Sequence, residues 1–396
     1  MTTTQQHVVI AGAGAAGHSA ASTLRREGYA DAITLVHGEQ MAPYNRTLVN
    51  KGLLPGILTA EQIALPGLDD LGVDLVRARV RQVAHESSEK FEVVLEDGRR
   101  LAGTALVAAT GSTPRRLDLA ALGPEGPQRV LHLHTVQDAA RARQLLGDDP
   151  SRTRVTLLGA GFIGAETASH LADLGAVVHL VSQPALPMAP ALGHEVARRV
   201  ADLHQAHVHA HFGRTLVDLS VDSDTVTVTL DDGTQLESDI ALVAYGTVPS
   251  SRWLNGHTSG IEVDDRLRAS DLPRTYAAGS VAIHTASDGT HYRLDHWDAA
   301  TAQGAHAARV LLHDLADAPD PGPYLPTTGF TTILYRQPIA GYGVPVPGAT
   351  QHQHHTATGS GILTTFHAAS TQTLTAAAGL GAGRELTDLR DQLQRP

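Results

Sequence analysis

Two short segments have the residue types and spacing needed to hold a phosphate-bearing ligand. Both carry the pattern GxGxxG directly after an apolar run: Gly12, Gly14 and Gly17 with Ala15 and Ala16 between them, and Gly159, Gly161 and Gly164 with Phe162 and Ile163 between them. At this spacing the first glycine permits a tight turn, the second lets backbone approach a pyrophosphate, and the third lets a helix pack on a strand. The backbone N–H groups that open the helix then bind the phosphates. The pattern therefore predicts two dinucleotide sites.

Each glycine segment is predicted to lie between a strand and a helix. Residues 8–11 are a β-branched apolar run before the first segment, and residues 18–27 have a helical pattern after it. Residues 155–158 precede the second segment in the same way. Because the fingerprint occurs twice in its required context, the chain is predicted to contain two similar α/β units.

Further elements are predicted around each unit. The first unit has a strand at 33–36, an antiparallel meander at 73–101 with a hairpin turn at Asp97-Gly98, and a buried strand at 105–112 that ends in a turn of small residues. The second has a strand at 177–181, a helix at 195–206, a turn at Asp232-Gly233 and a strand at 240–244. A late helix at 298–312 precedes strands at 330–335, 361–366 and 371–376 and a final helix at 385–393.

Composition limits the chemistry. The 396 residues are 42% hydrophobic, carry a formal net charge of −11 and include no cysteine. The charge disfavours nucleic acid and anionic membranes as partners, and no apolar run reaches the roughly 18 residues of a membrane span. The opening MTTTQQ has no leader pattern, so a cytoplasmic location is predicted. Without cysteine, electron chemistry requires a bound cofactor.

Three polar residues could contact such ligands. Glu39 follows the second predicted strand, where an acid often binds a ribose, although an exposed loop acid fits the pattern nearly as well. Arg46 and Lys51 could donate to a phosphate, but the residues alone favour two solvated loop cations.

Two histidine groups permit a metal hypothesis. His207, His209 and His211 alternate with apolar residues, so on a strand they would share one face and could bind zinc or nickel. An exposed polar face is the favoured interpretation, and no metal site is predicted. The group at residues 352–355 is interpreted as a mobile loop.

The order of motifs resembles the FAD-dependent pyridine-nucleotide reductases of the ferredoxin, putidaredoxin and rubredoxin reductase type, which share a fold with apoptosis-inducing factor. The matching segments are AGAGAAG, PYNRTLVNKGLL, LVAATGSTPRRL, LGAGFIGAE, TYAAGSVA and RLDHWDAATAQGAHAARVL. The resemblance implies an α/β fold with two Rossmann-like dinucleotide-binding domains, β-meander insertions and a small α+β C-terminal domain. The implied divisions are an FAD domain at 1–115 and 248–324, an NAD(P) domain at 116–247, and a C-terminal interface domain at 325–396.

The resemblance also implies ligand contacts. FAD is expected at the first glycine segment and at Glu39, Arg46, Lys51, Val80, Thr110, Gly111, Gly279, Ser280, His296 and Trp297. NAD(P)H is expected at the second glycine segment and at Glu166, Ser182 and Gly246. Lys51 and Glu166 are expected to approach each other near the flavin ring as the catalytic pair.

The implied activity is hydride transfer from nicotinamide to flavin, with electrons passing to a ferredoxin- or rubredoxin-like protein or a small acceptor. Two alternatives stay open, a flavin-dependent oxidase or monooxygenase and a non-catalytic nucleotide-binding flavoprotein. The choice between NADH and NADPH is also open. The oligomeric state, monomer or homodimer, is open as well.

Three positions depart from the family pattern. Ser182 stands where an NAD-selective site usually has an acid, and Ser280 replaces the aspartate of the usual AAGD motif. The region around Phe330 lacks the family's cluster of aromatic residues, with no tryptophan after Trp297. These departures predict altered FAD binding and a remodelled electron-exit face.

Overall fold

The structure is a computed structural model that describes residues 6–85, 87, 89–117, 126–254, 256–285, 289–346, 348–357 and 359–393. Most of the opening hexapeptide, on which the expectation of no leader rests, lies outside these residues. Among the described residues, none of the helices combines the length and apolarity that a membrane crossing requires.

The helices are α1 (Ala15–Arg26), α2 (Gly126–Arg129), α3 (Val136–Leu146), α4 (Phe162–Asp173), α5 (Ala189–Leu192), α6 (His194–His207), α7 (Trp297–Ala316) and α8 (Gly383–Leu393), with a π-helical turn at Val49–Leu53. The first strands are β1 (His7–Ala11), β2 (Ala32–His37), β3 (Asp74–Arg77), β4 (Val80–His85), β5 (Phe91–Leu95), β6 (Arg100–Gly103), β7 (Ala105–Ala108), β8 (Ser112–Pro114) and β9 (Val130–His132).

The next strands are β10 (Arg154–Leu158), β11 (Val177–Ser182), β12 (His209–Phe212), β13 (Leu216–Asp222), β14 (Thr225–Leu230), β15 (Gln235–Ser238), β16 (Ile240–Val243), β17 (Thr247–Pro249) and β18 (Ile261–Glu262). The last are β19 (Thr275–Ala277), β20 (Ala282–Thr285), β21 (His291–Tyr292), β22 (Gly329–Leu334), β23 (Gln337–Gly343), β24 (Thr350–His355), β25 (Ile362–His367) and β26 (Leu374–Leu380).

The chain forms two compact units, each made of three stretches of sequence. The first comprises Met1–Asn45, Ile63–Thr113 and Val248–Thr328, and the second comprises Arg46–Gln62, Pro114–Thr247 and Gly329–Pro396. The implied separation of residues 325–396 as a third domain stays a prediction.

The first unit is built on a parallel five-stranded sheet in the order β19-β7-β1-β2-β3. The apolar run of β1 is wholly buried at its centre, as a strand covered on both faces requires. An antiparallel meander, β4-β5-β6, follows in the chain. Helix α7 packs against α1 so closely that a Cβ on Gly304 would lie 2.0 Å from the carbonyl oxygen of Ala16.

The prediction that residues 73–101 form one antiparallel meander is wrong for its first strand. Residues 74–77 instead form β3, which pairs in parallel with β2 at the edge of the main sheet. Because β3 is largely exposed, its sequence has no long buried run of the kind that distinguishes a central parallel strand.

The second unit repeats the parallel design in the order β12-β11-β10-β16-β9, with a meander β13-β14-β15. It also contains an antiparallel sheet in the order β22-β23-β26-β25-β24, against which α8 packs. The two parallel sheets confirm the duplication and the predicted fold class. The last predicted strand, at 371–376, lies instead at Leu374–Leu380 as β26.

Both histidine expectations need correction. His207 is the last residue of α6, where its Nδ1 is 2.8 Å from the carbonyl oxygen of Leu203, so only His209 and His211 lie on β12. The residues interpreted as a mobile loop form the edge strand β24, which pairs along its length with β25. All six β24 residues are exposed, so no apolar alternation could predict the strand.

The hairpin between β22 and β23 anchors the antiparallel sheet to α6 and α4. Its turn residue Tyr335 is buried and stacks on His207, with ring centroids 4.2 Å apart. The Tyr335 hydroxyl is 2.8 Å from Nδ1 of the buried His204, and the Tyr335 backbone N–H donates to Oγ of Ser169 at 2.7 Å. Burial lowers the pKa of His204 from 6.5 to about 4, and nearby His207 adds to this shift.

We expect acid to destabilise the fold through His204. Since its pKa is depressed in the folded chain, the stability that it contributes is present above about pH 6.5 and is lost as the pH falls toward 4. His204→Gln should therefore weaken the decline in unfolding free energy between these pH values, as measured by urea titration. His355→Gln, on the exposed strand β24, is the matched control and should keep the wild-type slope. Equal slopes for the two variants would contradict the assignment.

Candidate functional site

The first glycine segment forms a tight elbow between β1 and α1. Gly12 has a φ of +107°, and a Cβ there would lie 2.2 Å from the carbonyl oxygen of Ala109. A Cβ on Gly17 would lie 1.7 Å from the carbonyl oxygen of Gly12, whereas one on Gly14 would meet nothing within 4 Å. Two of the glycines are thus required by the protein's own packing, while Gly14 borders open space.

The second segment has the same geometry between β10 and α4. Gly159 has a φ of +109°, and its Cβ would lie 2.4 Å from the carbonyl oxygen of Ala244. A Cβ on Gly164 would lie 1.9 Å from the carbonyl oxygen of Gly159, and one on Gly161 would meet nothing within 4 Å. The two elbows therefore agree glycine by glycine.

In both elbows the helix begins without a side-chain cap from any of the described residues. Gly14 caps α1 and Gly161 caps α4; neither helix has a side-chain cap or an acid in its first turn. The first N–H groups of a helix have no partner within it, and the helix dipole favours negative charge there. Of the residues between the glycines, Ala16 is buried and Ile163 is 41% exposed. This geometry fits a diphosphate at each elbow.

Other predicted contact positions follow strands of the same parallel sheets. In the first unit, Glu39 follows β2, Thr110 and Gly111 follow β7, and Gly279 and Ser280 follow β19. Since carboxyl ends of parallel strands meet at one edge, these positions gather with the first elbow, which follows β1. In the second unit, Ser182 ends β11 and Gly246 follows β16, beside the elbow that follows β10.

A cleft opens beside Glu39. It is lined by residues 37–40, 77–79 and 96–97. Within the first unit, Glu39 Oε2 accepts a hydrogen bond from the Tyr44 hydroxyl at 2.7 Å. Val80 begins β4 and packs against the core, next in sequence to the cleft residue Arg79.

The strand ends of the first unit are stabilised by contacts that the sequence did not indicate. Thr110 Oγ1 donates to the carbonyl oxygen of Ser250 at 2.6 Å and accepts from Trp253 Nε1 at 3.1 Å. The Ser280 hydroxyl donates to the Asp295 carboxylate, which also lies 3.2 Å from Nη2 of Arg293. Trp253 comes from a distant segment with no motif of its own. Asp295 lies in the matched segment RLDHWDAATAQGAHAARVL, of which only His296 and Trp297 were predicted as contact residues.

Helix α7 follows these contacts in the chain and begins at Trp297, which was predicted as an FAD contact. His296 is the N-cap of α7 without a side-chain cap bond, and Trp297 is the first helical residue. Both are partly buried.

The second unit brings Lys51 and Glu166 together. Lys51 Nζ lies 3.0 Å from Glu166 Oε1, and Asn50 Nδ2 donates to Glu166 Oε2 at 2.7 Å. The Glu166 side chain is 5% exposed and that of Lys51 is 31% exposed. Lys51 Nζ also donates to the carbonyl oxygen of Thr331 at 3.3 Å. The expected approach of the pair is confirmed, and the interpretation of Lys51 as a solvated loop cation is wrong.

Neighbouring groups complete this arrangement. Asn50 is buried in the π-helical turn and was not among the predicted site residues, because nothing in its spacing links it to α4. Arg46 is also not simply solvated, since Nη1 donates to the carbonyl oxygen of His134 at 2.6 Å. Burial lowers the pKa of His170, one helical turn beyond Glu166, against the opposing effect of Glu166 itself.

Ser182 does not present an acid or a free hydroxyl in the position expected to select the nucleotide. It is buried, and its Oγ donates to the carbonyl oxygen of Pro184 at 3.0 Å. On the same strand β11, His179 Nδ1 lies 3.1 Å from Nε2 of His211 on the neighbouring strand β12. Within the described part of the chain, no group of three or more His, Cys, Asp or Glu residues has metal-binding geometry.

The ion pair predicts an asymmetry between two substitutions. Lys51→Met leaves the buried Glu166 carboxylate with Asn50 as its side-chain partner and should lower the unfolding free energy by about 3 kcal/mol. Glu166→Gln keeps an acceptor for Asn50 and leaves a partly exposed lysine, so it should cost about 1 kcal/mol. Urea unfolding of both variants checks the order, and a larger loss for Glu166→Gln would contradict it.

Comparisons with known proteins agree with this architecture. The chain is 30% identical to human apoptosis-inducing factor 3 over 352 residues, which is 85% of this chain and 55% of that protein. The mouse protein of the same name is also covered over 55% of its length. The chain is 30% identical to the ferredoxin–NAD(+) reductase component of the p-cumate 2,3-dioxygenase system of Pseudomonas putida over 324 residues, or 78% and 75% of the two chains.

Solved structures resemble it over nearly the full chain. The crystal structure of Fdr9 superposes with a TM-score of 0.84 at 29% identity, covering 98% of this chain and 94% of that one. The ferredoxin reductase for the CYP199A2 system of Rhodopseudomonas palustris gives a TM-score of 0.82 at 26% identity, covering 95% and 91%. A family model described as pyridine nucleotide-disulphide oxidoreductase matches residues 6–304, and this chain therefore belongs to that family.

Proposed function

We propose that the protein is an FAD-dependent NAD(P)H oxidoreductase that passes electrons to a ferredoxin- or rubredoxin-like protein or to a small acceptor. The observation that carries the proposal is the duplicated elbow. Each unit has an uncapped helix N-terminus behind a glycine that borders open space, at Gly14 and at Gly161. One redox reaction between two dinucleotides requires two such sites.

FAD is assigned to the first unit and NAD(P)H to the second. The diphosphate of FAD would meet the N–H groups that open α1, with Glu39 in the adjoining cleft and residues 279–280 at the neighbouring strand end. The diphosphate of NAD(P)H would meet those that open α4. When bound, the nicotinamide supplies a hydride and the flavin accepts it.

The chain's own contribution is orientation. Lys51 and Asn50 each hold one oxygen of Glu166, so the carboxylate has a single orientation four residues after the start of α4. We assign Lys51 and Glu166 as the pair that faces the reacting rings. Because both oxygens of the Glu166 carboxylate are already paired within the protein, the carboxylate can orient a nicotinamide amide or hold a proton without first losing bound water.

The acceptor follows from composition and from the relatives. The chain has no cysteine, so it has no dithiol to carry electrons away from a flavin. A relative named as a ferredoxin–NAD(+) reductase component supports a small redox protein as the acceptor. The proposal places the protein in the cytoplasm, keeps the division into FAD, NAD(P) and C-terminal interface domains, and includes either a monomer or a homodimer.

A purified sample loaded with FAD should be yellow and should bleach anaerobically on addition of a reduced nicotinamide nucleotide. Ser182 offers no carboxylate to repel a 2′-phosphate, so NADH and NADPH are compared by stopped-flow absorbance. Electron transfer to a ferredoxin would support the proposal. Rapid reoxidation by O₂ with turnover of an organic substrate would instead favour the oxidase alternative, and absence of reduction by both nucleotides would favour the non-catalytic one.

Two glycine substitutions should separate the two sites. Gly14→Ala and Gly161→Ala add a methyl group where the protein itself has room, so the fold should tolerate both. Gly14→Ala should weaken FAD binding at least tenfold, and Gly161→Ala should keep FAD but raise the Kd of NAD(P)H by a similar factor, because each methyl displaces a phosphate from N–H donors.

Flavin fluorescence and nucleotide titrations measure the two affinities. Gly383→Ala is the matched control, since its Cβ would also meet nothing within 4 Å and it opens α8, which has no glycine elbow. The same loss in both elbow variants, or in the control, would contradict the assignment of one nucleotide to each unit.

A further inference from the structure

Gln303 is a buried polar residue that the proposed chemistry does not use. It lies on α7, is wholly inaccessible to solvent, and its Oε1 accepts a hydrogen bond from the backbone N–H of Gly279 at 2.7 Å. Burying an amide side chain costs free energy unless its polar atoms are paired. Burial of Gln303 therefore costs free energy, which the hydrogen bond from the turn after β19 to its amide oxygen offsets.

The Gly279 contact fixes which way the amide points. A backbone N–H can be met only by the amide oxygen, so the amide nitrogen must face the opposite side. Gln303 Nε2 and two atoms of neighbouring side chains, His284 Nε2 and the Tyr324 hydroxyl, are buried and have no hydrogen-bond partner among the described residues. The rings of His284 and Tyr324 are 6.0 Å apart between centroids.

These neighbours suit an amide N–H donor. Burial lowers the pKa of His284 to about 4, an effect that the Gln303 side chain opposes, so the imidazole is neutral at pH 7 and one ring nitrogen can accept. Burial raises the pKa of Tyr324, while the side chains of Thr328 and Gln303 lower it. Only one amide orientation therefore serves both the turn and the buried pair.

The next residue of α7 contacts the other element of the elbow. A Cβ on Gly304 would lie 2.0 Å from the carbonyl oxygen of Ala16, in the first turn of α1. A Cβ on Gly279 would lie 3.1 Å from Cβ of Ala16. The dipeptide Gln303-Gly304 thus contacts both the start of α1 and the turn after β19, which the proposed function assigns to FAD.

We infer that Gln303 is a positioning residue, whose amide oxygen holds the Gly279 N–H and so sets the turn at 279–280 against the start of α1 before FAD binds. The inference rests on the proposed function for its ligand. Its structural part, the restraint of one backbone amide, does not depend on FAD. Without that restraint the turn must be ordered during binding, which lowers affinity.

Three variants test the restraint in the full chain. Gln303→Met keeps the length of the side chain and removes the acceptor, and Gln303→Glu keeps an acceptor oxygen at the same distance. Gln144→Met makes the same change as the first variant at an exposed position of α3 and is the matched control. Amide hydrogen exchange of the peptide containing Gly279 is measured without FAD, and the Kd of FAD is then measured by flavin fluorescence.

We expect Gln303→Met to speed exchange at the Gly279 amide and to weaken FAD binding about tenfold. Gln303→Glu should recover most of both properties, and Gln144→Met should change neither. Unchanged exchange together with a Kd within twofold of wild type in Gln303→Met would overturn the inference. If the wild-type protein binds no FAD but its Gly279 amide still exchanges slowly, the restraint by Gln303 is supported. That result would contradict only the proposed function.

Tyr324→Phe keeps the test decisive if Gln303→Met does not fold. It removes the hydroxyl on the amide-nitrogen side and leaves the ring in place, so exchange at Gly279 should rise and FAD should bind about threefold more weakly. Wild-type exchange at the Gly279 amide and a wild-type Kd of FAD in Tyr324→Phe would then count against a positioning role.

Discussion

The close packing of a helix onto the turn that precedes it is the constraint on which both candidate sites depend. In each elbow, the third glycine lies so close to the carbonyl oxygen of the first that a methyl group would lie within 2 Å of that oxygen. This contact holds α1 over β1 and α4 over β10, with the helix N-terminus uncapped. An uncapped helix end with no acid in its first turn is favourable only where an anion or water completes it. Packing and ligand affinity therefore derive from one arrangement.

The elbows could be predicted from sequence because every contact that defines them is local. Glycine spacing, the apolar run before it and the helical pattern after it lie within about twenty residues. The same holds for β1, β7 and β16 of the two parallel sheets, which are apolar over four consecutive residues. The strands that the sequence predicted poorly, β3 and β24, are exposed edge strands. Each is held in place by backbone hydrogen bonds to one neighbouring strand. Such pairing produces no alternation of apolar and polar residues in the sequence.

The Lys51–Glu166 pair shows a second limit of prediction from sequence, which concerns contacts between distant segments. Spacing within the chain gave no reason to join the π-helical turn to α4, and the family resemblance supplied that expectation. It did not supply Asn50, whose amide holds the second oxygen of the carboxylate. A buried carboxylate needs partners for both oxygens, so a partner for the second one could be expected in principle. Which residue provides it depends on the local winding of residues 49–53, which sequence periodicity does not resolve.

A departure from a motif need not remove a charge from a site. Ser280 replaces the acid of the usual motif, which predicted a turn without negative charge. In the folded first unit, however, the Ser280 hydroxyl donates to the carboxylate of Asp295, fifteen residues further along the chain. Ser112, the first residue of β8, directs its hydroxyl to the same oxygen at 3.4 Å, and Arg293 balances the charge at 3.2 Å. A carboxylate thus remains beside the turn, carried by another segment and oriented by two hydroxyl groups. Because charge acts through space, the chemistry of this turn is set by the fold as much as by the four letters of its motif.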